Sequence, residues 1–261
     1  MAVMLEDLKK IRVKRLNSRK VPREIKRLIA EEDLLERFHD KKKQLNRACK
    51  NKIKQIVSEM ILIANKIPSL KGWPYNRHVF WGEDSSIWQH RIDDEHRDFI
   101  RKKLKNLVKG RILEIGSGSV PYTEGVCLDI SYNMLWTIKP SLSGRFMNPY
   151  LSRVQADLEK GLCFSDNSFD TIVGVFVANY VKDLRKLFSE VKRVLKKNGK
   201  LVLVQSLVPV NTSHIIMEKH KAKGFGEELR KIIGEEGFKV RVKKESVGKK
   251  AMWFVVAYNI L

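Results

Sequence analysis

Apolar positions in the first quarter of the chain recur at helical spacing. The pattern begins at Leu5 and Leu8, continues through Leu34 and Ile56, and stops at Pro68. Apolar side chains three and four positions apart lie on one face of an α-helix. Residues 5–67 are therefore expected to form amphipathic helices.

The pattern changes at residue 93, where short apolar runs begin to alternate with helix-length amphipathic segments. The predicted strands are Arg111–Ile115, Val126–Ile130, Arg153–Ala156, Thr171–Val177, Lys200–Gln205, Phe238–Glu245 and Met252–Asn259. The predicted helices run from Asp93 or Asp94 to Leu107, and over Asn133–Lys139, Val181–Leu195 and Gly226–Glu236. This alternation predicts an α/β fold with a mostly parallel sheet and helices on both faces. The last two strands lie at hairpin distance and can add an antiparallel strand at one edge.

Residues 68–92 fit neither pattern, because proline and glycine interrupt any helix there. The segment is rich in aromatic residues, namely Trp73, Tyr75, Phe80, Trp81 and Trp88. Aromatic rings beside arginine can stack unpaired bases, with Trp88 as a candidate contact; such rings can equally pack two domains together. We therefore divide the chain into a basic helical N-terminal domain with an aromatic linker at 1–92, and an α/β domain at 93–261.

The charge of the chain is strongly unbalanced, with 52 basic against 30 acidic residues and a net charge of +22. Residues 8–27 hold many basic side chains and Glu24 as their only acid. Lysine and arginine release counterions from phosphates, which favours RNA as a partner. The residues expected to bind phosphates are Arg12, Lys14, Arg15, Arg19 and Lys20. The alternatives are a solvated helix face, a heat-adapted surface, and an acidic protein or membrane surface.

Cysteine and histidine positions give no sign of a metal site or a disulfide. Cys49, Cys127 and Cys163 are far apart, and the histidines lack ligand spacing. The N-terminal segment carries a charge within its first six residues and lacks a signal-peptide core, and the run Met60–Ala64 is too short to span a bilayer. We expect a cytoplasmic protein without metal and without a membrane partner.

Acids and a glycine turn follow three of the predicted strands. Gly116 and Gly118 follow the first strand, and they let the backbone turn tightly around Ser117 and approach a ligand. Asp129 ends the second strand and could accept both hydroxyls of a ribose. Asp157 follows the third strand and could accept from the amine of an adenine. Such strand ends form a ligand-binding edge in a parallel sheet, where Ile130 and Leu158 could sandwich the adenine ring.

Phosphate-bearing cofactors fit this edge poorly. A dinucleotide site requires glycine where Pro121 stands, and an acid about twenty residues after the turn, whereas Asp129 follows Gly116 by thirteen residues. A phosphate-binding loop would require Gly-Lys-Ser/Thr, which does not follow. Glu114 would repel a pyrophosphate but suits a ligand with an ammonium group. An adenosine ligand without phosphates remains.

These residues resemble the class I S-adenosylmethionine-dependent methyltransferases over about residues 93–261. The resemblance rests on the segments 114–118, 129–135, 156–157, 164–170 and 191–199. It implies a Rossmann-like, mostly parallel seven-stranded sheet and S-adenosylmethionine as the cofactor. The glycine loop would hold the methionine part, Asp129 the ribose and Asp157 the adenine. Val120 and Pro121 depart from the family pattern, so the helix that usually follows this loop is expected to be cut to a turn.

Candidate acceptor-binding residues follow the fourth strand. Phe176 could stack a base, while Asn179 and Tyr180 could hold its polar edges; alternatively, Phe176 is simply core at the strand end. The segment lacks the Asp/Asn-Pro-Pro-aromatic motif common among enzymes that methylate exocyclic amines of bases. Cys127 and Cys163 are poorly placed to act as the nucleophile that pyrimidine C5 methylation requires.

The sequence therefore indicates a methyltransferase that acts on RNA, most of all on a base of ribosomal RNA or a ribosomal subunit. It is similar to basic archaeal methyltransferases, including the family that forms N4,N4-dimethylcytidine in ribosomal RNA. Two alternatives remain open: a small-molecule methyltransferase, and a non-catalytic RNA-binding assembly factor that retains a cofactor pocket.

Overall fold

A computed structural model of the chain describes residues 23–73, 76–82, 92–136, 152–206, 225–248 and 250–260. It contains two compact units, which divide between Asn76 and Arg77. This division falls earlier than the boundary at 92/93 that the sequence suggested, because Arg77 and Trp81 contact residues of the second unit. In the described part of the chain, no helix is both long enough and apolar enough to cross a membrane.

The first unit is helical. Helix α1 spans Arg23–Arg47, helix α2 spans Lys50–Ala64, and a 3-10 turn covers Pro68–Leu70. Phe38 is fully buried, and the ring of Trp73 meets it edge-on with centroids 5.1 Å apart. The predicted helical character is thus confirmed from residue 23 onward. The proposed phosphate contacts Arg12, Lys14, Arg15, Arg19 and Lys20, and the proposed stacking residue Trp88, lie outside the described residues.

The second unit contains a seven-stranded sheet in the order β3-β2-β1-β4-β5-β7-β6. Its strands are β1 (Ile112–Ile115), β2 (Val126–Asp129), β3 (Arg153–Gln155), β4 (Phe169–Val175), β5 (Leu195–Ser206), β6 (Phe238–Val247) and β7 (Lys250–Asn259). Strands β1 to β5 pair in parallel, and β7 runs antiparallel between β5 and β6. The predicted fold class and all seven strands are confirmed.

Helices cover both faces of this sheet. They are α3 (Asp94–Leu107), α4 (Tyr132–Trp136), α5 (Leu184–Val194) and α6 (Phe225–Glu235). Successive strand residues point to opposite faces, so that Ile172 packs with α5 and α6 while Val173 packs with α3. The strand order reverses between β1 and β4, which places a ligand-binding crevice at the carboxyl ends of these strands.

Most predicted boundaries shift by a few residues, and the largest shift is at β5. The sequence predicted this strand over Lys200–Gln205, whereas β5 begins at Leu195, directly after α5 ends at Val194. Asn198 adopts a left-handed conformation, with φ of 61°, inside an irregular part of the strand. The expected loss of the helix between β1 and β2 is confirmed, since residues 116–125 form turns and bends.

Glu114 in β1 anchors the loop that replaces this helix. Its side chain is 1% exposed, and its carboxylate accepts the N–H of Tyr122 at 2.9 Å and the N–H of Thr123 at 2.8 Å. The hydroxyl of Thr123 donates to it as well, at 2.7 Å. Burial raises the pKa of Glu114 to about 7, against the opposite pull of these hydrogen bonds. A buried acid therefore ties residues 122–123 to the sheet.

We expect Glu114→Gln to flatten the pH dependence of stability between about pH 4.5 and 7. The folded-state pKa lies above the unfolded value, so the folded wild type holds an extra proton in this window and loses stability as pH rises. A rise from 4.5 to about 7 corresponds to on the order of 3 kcal/mol. Urea unfolding on both sides of this window measures the effect.

Glu124→Gln is the matched control, because Glu124 is exposed in the same loop. This variant should keep the wild-type pH dependence. An unchanged slope in Glu114→Gln would show that Glu114 does not titrate in this window.

Candidate functional site: a cavity at the carboxyl ends of the strands

A cavity opens at the switch point between β1 and β4. Its wall includes the glycine turn after β1, the ends of β2 and β4, the segment after β3, and the side chains of Arg77, Trp81, Ile92 and Arg97. Of the predicted site residues, it brings together Gly116, Ser117, Gly118, Asp129, Ile130, Asp157, Leu158, Phe176 and Tyr180. Glu114 and Asn179 lie outside the wall.

The glycine turn requires glycine for geometric reasons. Gly116 and Gly118 have φ of 62° and 59°, which is the left-handed region that other residues rarely adopt. A Cβ on Gly116 would lie 2.4 Å from Cγ2 of Val177. The N–H of Ser117 donates to the carbonyl of Leu128 at 3.1 Å, which joins the turn to β2. The turn is thus fixed against both neighbouring strand ends.

Asp129 lies at the tip of β2 and is 8% exposed. One carboxylate oxygen accepts the N–H of Gly118 at 2.9 Å, and the other accepts the N–H of Ser131 at 2.8 Å. Burial raises the pKa of Asp129, while these backbone donors oppose the rise. Each oxygen keeps a further lone pair for a ligand hydroxyl. The glycine turn and the acid expected at the ribose therefore hold each other in place.

Asp157 lies beyond β3 and accepts from two groups. Its Oδ1 accepts the N–H of Glu159 at 3.1 Å, and its Oδ2 accepts from Nη2 of Arg77 at 3.0 Å. Arg77 also pairs with Glu159 at 2.7 Å. Arg77 was not predicted as a site residue, because eighty positions separate it from Asp157 along the chain. A ligand amine at Asp157 would share the carboxylate with this guanidinium.

Several aromatic side chains line the cavity. Phe176 follows β4 with a φ of 56°, and its N–H donates to the carbonyl of Val204 at 2.8 Å. A bulky side chain in this left-handed conformation is strained, and such strain occurs most often at functional sites. Trp81 meets Tyr180 edge-on, with ring centroids 4.7 Å apart. Trp81, Phe176 and Tyr180 all line the cavity.

Two predicted site residues have other contacts. Asn179 is 4% exposed, and its Oδ1 accepts from Nε2 of Gln205 at 2.8 Å, so it braces the strand ends rather than facing the cavity. The carboxylate of Glu114 is directed at the loop 122–123, which corrects the expectation that it meets a ligand ammonium. Both groups are buried and hydrogen-bonded within the protein, a property that residue type alone does not reveal.

Asp170 lies at the start of β4 and is not part of the cavity wall. Its carboxylate accepts the N–H of Arg111 at 2.8 Å and pairs with Lys196 at 3.0 Å. These contacts hold the pKa of Asp170 below its usual value.

A comparison with known proteins shows which protein family the segment around this cavity is similar to. A family model described as a methyltransferase domain matches residues 113–203. An uncharacterized methyltransferase, YcgJ, of Bacillus subtilis is 30% identical over 143 residues, covering 52% of this chain and 55% of that protein. A demethylmenaquinone methyltransferase of Thermotoga maritima is 30% identical over 140 residues, covering 52% and 57%. A phosphatidylethanolamine N-methyltransferase of Cereibacter sphaeroides is 33% identical over 102 residues, covering 36% and 50%.

Solved structures agree with this fold. A SAM-dependent methyltransferase of Aquifex aeolicus superposes with a TM-score of 0.52 at 19% identity, covering 67% of this chain and 98% of that one. A phosphoethanolamine N-methyltransferase of Haemonchus contortus, in complex with S-adenosylhomocysteine, gives a TM-score of 0.50 at 16% identity, covering 73% and 59%. At these identities the likeness concerns the fold.

The chain spans little more than half the length of the curated relatives it matches. The family match and the solved complexes support S-adenosylmethionine as the cofactor. The family match identifies residues 113–203 as a methyltransferase domain, and the fold of the sheet that contains them agrees with that of solved methyltransferases.

Proposed function

We propose that the chain transfers a methyl group from S-adenosylmethionine to a base in RNA. The observation that supports methyl transfer is the convergence of the glycine turn, Asp129 and Asp157 on one cavity. The turn would hold the methionine part, Asp129 would accept the ribose hydroxyls, and Asp157 would accept from the adenine amine. Glu114 lies outside the cavity wall, and its carboxylate holds the loop 122–123 in place.

The bound cofactor supplies an electrophilic methyl group, and the protein has to align an acceptor with it. Alignment can contribute several kcal/mol, because it replaces a bimolecular encounter by a fixed geometry. Trp81, Phe176 and Tyr180 present apolar rings at the acceptor end, which suits a planar aromatic acceptor. A splayed nucleobase has this shape.

The charge of the chain supports RNA as the carrier of that base. A net charge of +22 is a large surplus of one sign, and Arg23, Lys26 and Arg27 are exposed on the first turns of α1. Phosphate contacts of this kind hold a nucleic acid without reading its sequence. A ribosomal RNA base, including cytidine at N4, remains within this proposal; the relatives described above give no support to that particular atom.

A small-molecule acceptor is the second candidate, and the relatives favour it. Those with a named substrate are methyltransferases of demethylmenaquinone and phosphatidylethanolamine. The same aromatic walls could hold a quinone ring. This candidate gives no role to the positive charge. The third candidate, a non-catalytic RNA-binding assembly factor, would bind the cofactor without transferring its methyl group.

We expect methyl label to pass from labelled S-adenosylmethionine to unmodified ribosomal RNA. Nucleoside analysis of the digested RNA then gives the base and the atom. Label in a metabolite extract and none in RNA would establish a small-molecule acceptor. Cofactor binding without any label transfer would establish a non-catalytic RNA-binding factor.

Neutralising the exposed basic residues of α1 should weaken RNA binding and leave cofactor affinity unchanged. For Arg23→Gln/Lys26→Gln/Arg27→Gln, the slope of log affinity against log salt should become shallower by about 2, since each lost contact to a single strand removes about 0.7. Fluorescence anisotropy of a labelled RNA across a salt series measures this slope.

The matched control removes three charges from the edge strand β6, as Lys239→Gln/Arg241→Gln/Lys243→Gln, all at exposed positions. Equal losses in both variants would show that overall charge, and not the helical unit, binds the RNA.

Gly116→Ala should weaken binding of S-adenosylhomocysteine by on the order of tenfold or more. The new Cβ would lie against Val177 in a left-handed backbone conformation, which costs about 1–3 kcal/mol. Isothermal titration calorimetry measures the affinity. Gly234→Ala is the control, because a Cβ there would meet nothing within 4 Å. Wild-type affinity in Gly116→Ala would mean that the turn does not contact the cofactor.

A further inference from the structure

Helix α4 presents two aromatic side chains to solvent. Tyr132 is 54% exposed and Trp136 is 66% exposed, whereas tryptophan is highly buried on average. Residues four positions apart lie on one face of a helix, and these two rings are stacked, with centroids 5.6 Å apart and planes inclined by 14°. Tyr132 and Trp136, called here the α4 aromatic pair, therefore form a small aromatic surface on the outside of the protein.

The opposite face of α4 belongs to the cavity wall. Met134 is 4% exposed and lines the cavity, and its sulfur would lie 3.6 Å from a Cβ on Gly118. Asp129 and Ile130, shortly before the helix, line the cavity as well. Helix α4 has five residues, which corresponds to a length of roughly 7 Å. The α4 aromatic pair thus lies on the outer side of the short element that helps to close the cavity.

Arg153 adds positive charge beside these rings. It begins β3, which is the edge strand of the sheet, and its guanidinium carbon lies 5.9 Å from the centre of the Trp136 ring. This distance is within the range of a cation–π interaction. The side chain of Arg153 is itself exposed. Aromatic rings beside a cation are the combination that holds single-stranded nucleic acid, because the rings stack on bases and the cation attracts phosphates.

Exposed polar residues flank the α4 aromatic pair. Asn133 lies between the two rings along the helix, and Gln155 in β3 donates to the carbonyl of Ile130 at 3.1 Å; both are exposed. A stable protein–protein interface buries about 800 Å² of each partner around an apolar core, which is far more than two rings among polar neighbours supply. A nucleobase needs only one ring face. The net charge of +22 favours a polyanion in the same way.

We propose that Tyr132, Trp136 and Arg153 bind an unpaired nucleotide of the RNA, with its base stacked on the α4 aromatic pair. This inference rests on the proposed function, and it deepens it by adding an RNA contact outside the cavity. The base to be methylated enters the cavity, while another base of the same strand stacks on the outer face of α4. Stacking accepts any base, so this contact adds affinity without reading the sequence.

The test separates stacking from charge with two fluorescein-labelled RNA probes. One is a short single-stranded oligouridine, and the other is an abasic strand with the same number of phosphates. Fluorescence anisotropy across a salt series gives the affinity of each probe for the wild type and for Trp136→Ala, Trp136→Leu and Trp136→Phe. Arg153→Gln tests the charge separately.

Ile260→Ala is the matched control, because Ile260 is also a large apolar residue and is 55% exposed. It follows β7, which runs antiparallel to β5, so it lies toward the amino-terminal ends of the parallel strands and away from the cavity. Titration of each variant with S-adenosylhomocysteine shows that the methyltransferase unit is folded.

We expect Trp136→Ala to weaken binding of oligouridine on the order of 5- to 100-fold, the range for the loss of one stacked base. Its slope of log affinity against log salt should equal that of the wild type, and binding of the abasic strand should stay within about twofold, since no phosphate contact is lost. Trp136→Phe should keep most of the affinity because it retains a flat ring, whereas Trp136→Leu should lose it.

Arg153→Gln should make the salt slope shallower by about 0.7 for both probes, as expected for one lost phosphate contact to a single strand. Ile260→Ala should bind both probes like the wild type.

Three outcomes would overturn the inference. Unchanged binding of oligouridine by Trp136→Ala would show that no base stacks there, and equal weakening of both probes would show an indirect effect on the fold or on charge. Dissociation of a wild-type oligomer by Trp136→Ala, seen by analytical ultracentrifugation without RNA, would show that the α4 aromatic pair meets a second copy of the chain.

The inference and the proposed function can fail separately. Selective loss of oligouridine binding in Trp136→Ala, together with no methyl transfer from the wild type to any RNA, would support the stacking contact and contradict the proposed function. Methyl transfer to RNA with full oligouridine binding in Trp136→Ala would give the reverse result.

Discussion

The buried carboxylate of Glu114 is the interaction on which the rest of the site depends. A helix that would ordinarily satisfy its own backbone is reduced here to a loop, and the N–H groups of Tyr122 and Thr123 have to find another acceptor. Glu114 supplies it from within β1. The loop can then stay compact beside the glycine turn, and the side chain of Tyr122 reaches the cavity wall.

A second constraint comes from the ends of β1 and β4, which approach each other closely behind the cavity. Gly116 leaves room for the side chain of Val177, and Phe176 accepts a strained backbone conformation just before it. The buried hydrogen bond between Asn179 and Gln205 holds the same corner against β5. Packing and this buried hydrogen bond together fix the position of Phe176 in the cavity wall.

The sequence predicts those parts of the molecule that local periodicity and capping determine. Helix α3 begins where Asp93 could cap it, and the side chain of Asp93 does accept the N–H of His96. Apolar runs predict the seven strands, and Pro121 predicts the short loop after β1. The pairing of Arg77 with Asp157 could not be predicted, because it joins distant positions. Three features depend on three-dimensional packing, which residue type does not encode: Arg97 lines the cavity, Glu114 is directed at the loop 122–123, and Asn179 is hydrogen-bonded to Gln205.

Trp81 and Arg97 have a consequence for how this chain relates to other methyltransferases. The shared segment 113–203 includes the glycine turn, Asp129, Asp157 and Phe176, but these two wall residues precede it. The family match therefore describes most of the cavity wall but not all of it. Two chains that agree over the shared segment can still differ in the shape and charge of this cavity, because the residues in front of β1 complete its wall.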